Sequence, residues 1–224
     1  MADYVLVHGA WGGAWCYERL VRELVAAGHR VVAVDLPGLG ADVANFHPGI
    51  TLSDHVAHVV AAADDAGFER FVLVGHSFGG MVVTGVAARI GSRIDALVYV
   101  DAFLPADGQS LWDLTGEWEH AHYIDSQKHQ PGAVAPLPGF AHPGLTPHPL
   151  LTLLEAVRLG GEAAHVRRRI YVFATGGSPT PFARFAEAVR ADPAWEYHEA
   201  EAGHFVMADQ PEQLLDIVLG AGVT

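Results

Sequence analysis

The sequence predicts an α/β fold, a mostly parallel sheet covered by helices on both faces. Three observations carry this. Short apolar, β-branched runs alternate with helical patterns, the early helices close on glycine, and half of the 224 residues are hydrophobic against 17% charged, enough to bury a sizeable core. Tyr4–Val7 and Arg30–Val34 read as buried strands. Between them a helix runs from about Ala14 to Ala27 and stops at Gly28, the residue best suited to a left-handed helix end. Thr51-Leu52-Ser53-Asp54 has the pattern of a capping box and opens a helix to about Ala66, closed by Gly67. Phe71–Val74 is the third strand, a helix follows from about Phe78 to Ile90, and Ile94–Val100 is the fourth strand.

The alternation then breaks. Residues from about Phe103 to Arg168 contain no convincing strand, and Pro131–Pro149 holds six prolines in nineteen residues, a density that regular elements do not tolerate. Helical patches flank it at Ser110–Tyr123 and Leu150–Leu159. Strands resume at Ile170–Ala174 and Trp195–Glu199, with helices near Pro181–Arg190 and Pro211–Leu219. The expected organisation is one domain over residues 1–224, about six strands in all, with a short helical and proline-rich cap inserted at about 103–168, after the fourth strand.

Composition narrows the partners. Thirteen Lys+Arg against 26 Asp+Glu give 13 − 26 = −13, which disfavours nucleic acid and anionic membranes, both of which are bound mainly through Lys and Arg. A small-molecule substrate is the expected partner. No run approaches a membrane span, the first nine residues lack the basic and apolar regions of a signal peptide, and Cys16 is the lone cysteine, so a cytoplasmic location is expected. No G-x-G-x-x-G or phosphate loop is present, and no cofactor is expected. The pairs His120/His122 and His55/His58 lack a third ligand nearby, so they are read as structural and no metal is expected.

Chemistry concentrates at strand ends. Gly75-His76-Ser77-Phe78-Gly79-Gly80 lies between a strand and a helix, the setting of a nucleophile elbow, with small residues beside a serine that must project from a tight turn. Ser77 is the candidate nucleophile. Val7-His8-Gly9-Ala10-Trp11-Gly12-Gly13 ends the first strand, and the Ala10 amide is placed to pair with that of Phe78 as an oxyanion hole. A serine needs a base of near-neutral pKa, and His204, in Ala202-Gly203-His204-Phe205 after the last strand, is the candidate. The acid is displaced. Where the chain order puts it, after the fifth strand, no Asp or Glu occurs between Ala163 and Ala186. Asp101, at the tip of the fourth strand, is the best candidate to hold the His204 ring, ahead of Glu199, Glu201 and Asp209. Trp11, Phe103, Trp112 and Trp118 are expected to line the substrate pocket, and the cap tryptophans leave room for a homodimer.

His8-Gly9-Ala10-Trp11-Gly12-Gly13-Ala14-Trp15, Val34-Asp35-Leu36-Pro37-Gly38, the Ser77 elbow and Gly203-His204 resemble the αβ-hydrolase superfamily. The resemblance is strongest to the compact branch of plant hydroxynitrile lyases, methyl-salicylate-type esterases and their bacterial relatives. It covers residues 1–110 and 168–220 well and the insertion poorly. It implies the αβ-hydrolase fold, strand order 2-1-3-4-5-6, Ser77 as nucleophile, His204 as base, and the Ala10 and Phe78 amides around the oxyanion. The lyases of that branch carry a threonine and a lysine where this chain has Gly9 and Phe205, which disfavours cyanohydrin cleavage. The expected activity is therefore a cofactor-free serine hydrolase acting on esters or lactones of small apolar substrates. Two alternatives remain: a lyase, cyclase or isomerase using Ser77 and His204 for proton transfer, and a non-catalytic ligand-binding receptor.

Overall fold

The computed structural model describes residues 1–177 and 180–223. The main elements follow in chain order as β1 (Asp3–Val7), α1 (Glu18–Ala26), β2 (Arg30–Val34), α2 (Leu52–Asp65), β3 (Phe71–His76), α3 (Gly79–Ile90) and β4 (Ile94–Val100). Then come α4 (Leu111–Leu114), α5 (Glu117–Ser126), β5 (Ala133–Val134), β6 (His148–Pro149) and α6 (Leu151–Leu154). The chain closes with β7 (Arg168–Ala174), α7 (Ala183–Arg190), β8 (Glu196–Ala200), α8 (Val206–Asp209) and α9 (Pro211–Ala221).

Six strands form one parallel sheet in the order β2-β1-β3-β4-β7-β8, which is the expected 2-1-3-4-5-6 once the two-residue strands β5 and β6 are set aside. Alternation along each strand feeds two cores. In β3, Phe71 and Leu73 join the core that holds Val56, Val59 and Val83, whereas Val72 and Val74 join the core that holds Leu24, Leu214 and Val218. Both faces are thus covered, as a near-continuous apolar parallel strand requires.

Register brings the chemistry-bearing residues to one edge. Val7 pairs with Gly75, His76 with Val100, Val100 with Val172, and Ala174 with Ala200. The loops after β1, β3, β4, β7 and β8 therefore emerge side by side at the carboxyl ends of the strands, where ligands bind in open α/β sheets.

Several expected elements are shorter than the pattern suggested. The helix expected from Ala14 begins as a turn of 3₁₀ helix over Ala14–Tyr17 and becomes α-helical at Glu18. The patch Ser110–Tyr123 divides into α4 and α5. Ser110 and Asp113 form a capping box on the first, and the extended backbone of Thr115 and Gly116 separates the second. Leu150–Leu159 shrinks to the single turn of α6, because Glu155 turns away to accept hydrogen bonds from Ser53 N at 2.7 Å and Ser53 Oγ at 2.6 Å. The proline-rich stretch, expected to be strandless, contributes the antiparallel pair β5–β6.

Candidate active site

Among the described residues, three non-glycine residues have positive φ: Trp11 (61°), Ser77 (54°) and Asp101 (41°). All three stand just beyond the carboxyl ends of adjacent strands. Such backbone costs of order 1–3 kcal/mol per residue and persists where the surroundings over-determine it, typically at functional sites. At Ser77 those surroundings are visible. Its N–H donates to Val100 O at 3.3 Å, and its carbonyl accepts from Gly80 N at 3.0 Å and Phe103 N at 3.1 Å. A Cβ on Gly79 would lie 2.6 Å from Val7 O, and one on Gly80 would collide with Phe103 O, so the elbow closes only with glycine at both positions. Gly80→Ala is accordingly expected to leave little folded, active enzyme, which circular dichroism and an esterase assay would check. A variant of wild-type stability would contradict the packing described.

His204 follows β8. Its Nδ1–H donates to Asp101 Oδ2 at 2.7 Å, and Asp101 Oδ1 accepts from Ala174 N at 3.2 Å. The Asp101 side chain is only 3% exposed, and its backbone N–H is tied to Val172 O at 2.7 Å. A carboxylate accepting from Nδ1–H leaves Nε2 as the bare nitrogen of the ring, free to accept a proton. Two aromatic rings pack against the imidazole. Phe182 stacks on it at 4.9 Å with 6° between planes, and His76 lies 4.5 Å away on a tilt. His76 Nε2–H in turn donates to the His204 carbonyl at 2.9 Å. No hydrogen bond joins Ser77 Oγ to the ring among the described residues, a contact that often tightens only when substrate is bound.

The carboxylate that meets His204 stands at the end of β4, not of β7. Gly176 N donates to Ala202 O at 2.8 Å, and a Cβ on Gly176 would lie 2.6 Å from that oxygen. The segment carrying His204 lies directly on Gly176, which leaves no room for a side chain at that position, and the imidazole meets Asp101 at the end of β4. Ser178, the last residue of the stretch where the family acid falls, lies outside the described residues. The other candidates are engaged elsewhere. Glu199 pairs with Arg190 at 3.3 Å and accepts from Tyr197 OH, Asp209 accepts from Gly203 N at 2.8 Å, and Glu201 is exposed.

A cavity of about 410 Å³ opens between this edge and the segment linking β4 to β7. Ala10, Trp11, Ser77, Phe78, Asp101 and His204 form its floor, and Phe103, Phe140 and Phe182 stand among its walls. Neither Ala10 N–H nor Phe78 N–H has a hydrogen-bond partner among the described residues, although Phe78 is fully buried. Buried amides are rarely left unpaired, and the Phe78 N–H, with the Ala10 N–H beside the same cavity, is available to an acceptor there.

Of the four expected pocket residues, Trp11, Phe103 and Trp118 line the cavity and Trp112 does not. Leu111 and Thr115 face the cavity from α4 and its end, spaced one helical turn apart. The residue after Leu111 therefore points about 100° away. Trp112 faces a separate groove with Ile124 and Leu154, stacked on His120 at 3.7 Å. Sequence reasoning missed Phe182 altogether. Its available signal was an aromatic residue just beyond the loop after a strand, where the sheet's carboxyl edge had to be covered.

The two histidine pairs do not converge on a common point. His120 Nε2 donates to Trp112 O and His122 Nε2 to Ala135 O, so that pair points at different carbonyls. His55 is buried with Nε2 on Pro37 O while His58 is exposed. Among the described residues no three His, Cys, Asp or Glu side chains converge as a metal site. Among the described residues no helix is long and apolar enough to cross a membrane.

Burial gives these imidazoles a consequence for stability. It pushes His8 down to about 4 and His55 to about 3, outweighing the Gly9 and Pro37 carbonyls that favour their charged forms. Between pH 6.5 and about 4 the unfolded chain takes up protons at these rings and the folded chain does not, so stability falls as pH falls. For His8 alone the loss saturates near ~3 kcal/mol at 1.36 kcal/mol per pH unit. Urea midpoints should drop steadily from pH 6.5 to 4.5, and a flat profile would contradict neutral burial.

Comparison with known proteins identifies the family. The model of the Alpha/beta hydrolase family matches residues 4–217. The chain is 35% identical over 245 residues to the carbendazim hydrolyzing esterase of Nocardioides sp. (strain SG-4G), covering 99% of this chain and 100% of that protein. The esterase PIR7B of Oryza sativa subsp. japonica is 40% identical over 118 residues, 51% of this chain and 44% of that protein. An extracellular alpha/beta-hydrolase from a Paenibacillus species superposes with a TM-score of 0.84 at 23% identity, covering 100% of both chains. Fold, family match and full-length likeness to an esterase agree that the chain belongs to the alpha/beta hydrolase family and is a carboxylic-ester hydrolase-like enzyme of it.

Proposed function

We propose that the protein hydrolyses esters or lactones of small, largely apolar substrates through an acyl-enzyme on Ser77. The observation that carries this is the hydrogen bond from His204 Nδ1 to Asp101 Oδ2 at the floor of the cavity that Ser77 also lines. Ser77 Oγ attacks the carbonyl carbon as its proton passes to His204 Nε2, and Asp101 holds and stabilises the imidazolium so formed. The Ala10 and Phe78 amides receive the developing oxyanion. His204 then protonates the departing alcohol, and water reverses the sequence to release the acid. The face of Phe182 against the ring favours the transient cation and keeps water from one side of it.

The wall residues support the apolar substrate class. Trp11, Leu111, Leu137 and Phe140 give the acyl or alcohol group an oily surface, and the cavity of about 410 Å³ suits a compact molecule. We expect p-nitrophenyl acetate and butyrate to exceed the laurate in kcat/KM by about tenfold or more, since a long chain cannot be enclosed. A series that peaks at laurate would contradict this pocket.

Proton-transfer chemistry without an acyl-enzyme is the reading that a missing acid would favour, and Asp101 beside His204 counts against it. A side chain at position 9 has no space either: a Cβ on Gly9 would lie 2.9 Å from Ser77 Cβ and 3.0 Å from His76 Nδ1. The direct test is a fluorophosphonate probe with peptide mapping. Stoichiometric labelling at Ser77, absent in Ser77→Ala, supports the reading. Failure to label the folded wild type would refute it.

A further inference from the structure

Trp11 is held in the left-handed region by three hydrogen bonds that all come from one distant stretch of chain. Its backbone N–H donates to His148 Nδ1 at 3.3 Å, its indole Nε1–H donates to Val134 O at 2.9 Å, and its carbonyl accepts from Thr146 N at 2.9 Å. Val134 and His148 face each other in the β5–β6 pair, and Thr146 lies two residues before His148. Trp11 follows Ala10 directly, so the peptide plane that carries its N–H also contains the Ala10 carbonyl. Fixing that plane, with the Trp11 φ at 61°, anchors the chain at the Ala10 Cα, one peptide beyond the Ala10 N–H, and so limits how far that amide can swing.

The ring of His148 also meets the other side of the hole. It lies 4.6 Å from Phe78 in an edge-to-face arrangement, and is fully buried. Its tautomer follows from its partners. Thr152 Oγ1 donates its single proton to Pro149 O at 2.7 Å, so it can only accept from His148 Nε2, also at 2.7 Å. With the proton on Nε2, Nδ1 is bare and accepts from Trp11 N–H. Burial, reinforced by His55 and His8 nearby, disfavours the charged form that would turn Nδ1 into a second donor facing the Trp11 donor.

We propose that His148 is a positioning residue for the oxyanion hole: set by Thr152 and docked by β5–β6, it holds Trp11, and through Trp11 the Ala10 amide, against Phe78. The inference rests on Ala10 and Phe78 being the oxyanion donors. Docking of the β5–β6 segment and assembly of the hole are then one event, and the segment between β4 and β7 contributes to rate as well as to pocket shape.

Fluorophosphonate labelling of Ser77 tests this without knowledge of the natural substrate. In His148→Leu the labelling rate should fall by about ten- to a hundredfold, as expected when a donor is displaced rather than deleted. On p-nitrophenyl butyrate the loss should fall in kcat, with KM within about threefold of wild type. His148→Asn, whose amide oxygen can stand where Nδ1 stands, should recover most of the rate, and Thr152→Val should lie between. If His148→Leu is unfolded, the Asn and Val variants decide the matter on the same readouts. A folded His148→Leu that labels at the wild-type rate overturns the proposal, as does a folded His148→Asn no faster than Leu. Wild type that fails to label at all would instead overturn the Ser77 reading, and this inference with it.

Discussion

Exchanging Ser77 for alanine is expected to lower kcat for a short-chain p-nitrophenyl ester by about 10⁶-fold, the scale seen when the nucleophile of a serine hydrolase is removed. Cys16, the sole cysteine, has its thiol pushed up to about 11 by burial, which removes the thiolate as a competing nucleophile at neutral pH. The fold should survive, since Ser77 Oγ makes no hydrogen bond among the described residues and the elbow is held by backbone bonds and by Gly79 and Gly80. The check is kcat and thermal midpoint measured on the same preparation. Residual activity above a few per cent, with contaminating esterase excluded by the probe, would sink the nucleophile assignment.

The second large effect is expected at Asp101. Asp101→Asn preserves shape but presents an NH₂ or an uncharged oxygen to His204 Nδ1, favouring the wrong tautomer, and a drop of about 10⁴ in kcat is expected. Because Asp101 is buried with φ of 41° and its backbone bonded to Val172, the substitution should change rate far more than KM. Glu199→Gln and Glu201→Gln, outside the ring's reach, should stay within about twofold of wild type, as surface changes usually do. An Asp101→Asn enzyme near wild-type rate would leave Ser77 and His204 as a dyad and move the acid off the fourth strand.

Much of this site was legible in the residues because strand ends announce themselves. A glycine-spaced serine between a strand and a helix could sit in only one kind of turn, and the absence of carboxylates from Ala163 to Ala186 left Asp101 as the nearest strand-tip acid. The packing of Gly176 under Ala202, which closes that position to a side chain, belongs to tertiary structure and has no local signal. The segment between β4 and β7 was legible only as an irregular stretch. Its prolines forbid long elements, and its conformation is dictated by distant partners: Val134 and His148 on Trp11, His142 stacked on Trp15 at 3.9 Å, and Glu155 on Ser53. Trp112 was misplaced for the same reason. Within a helix of one turn, composition marks an aromatic as useful, but only the rotation of the helix decides which groove it fills.

The measurement that reaches the central claim most directly is intact-mass spectrometry of enzyme quenched in acid during turnover of a slowly deacylated p-nitrophenyl ester. The account predicts a species heavier by one acyl group, mapped to the peptide that contains Ser77, formed and lost at rates consistent with turnover, and absent from Ser77→Ala. Sustained turnover with only unmodified enzyme on sub-second quenching, or an adduct mapped to another residue, would contradict it.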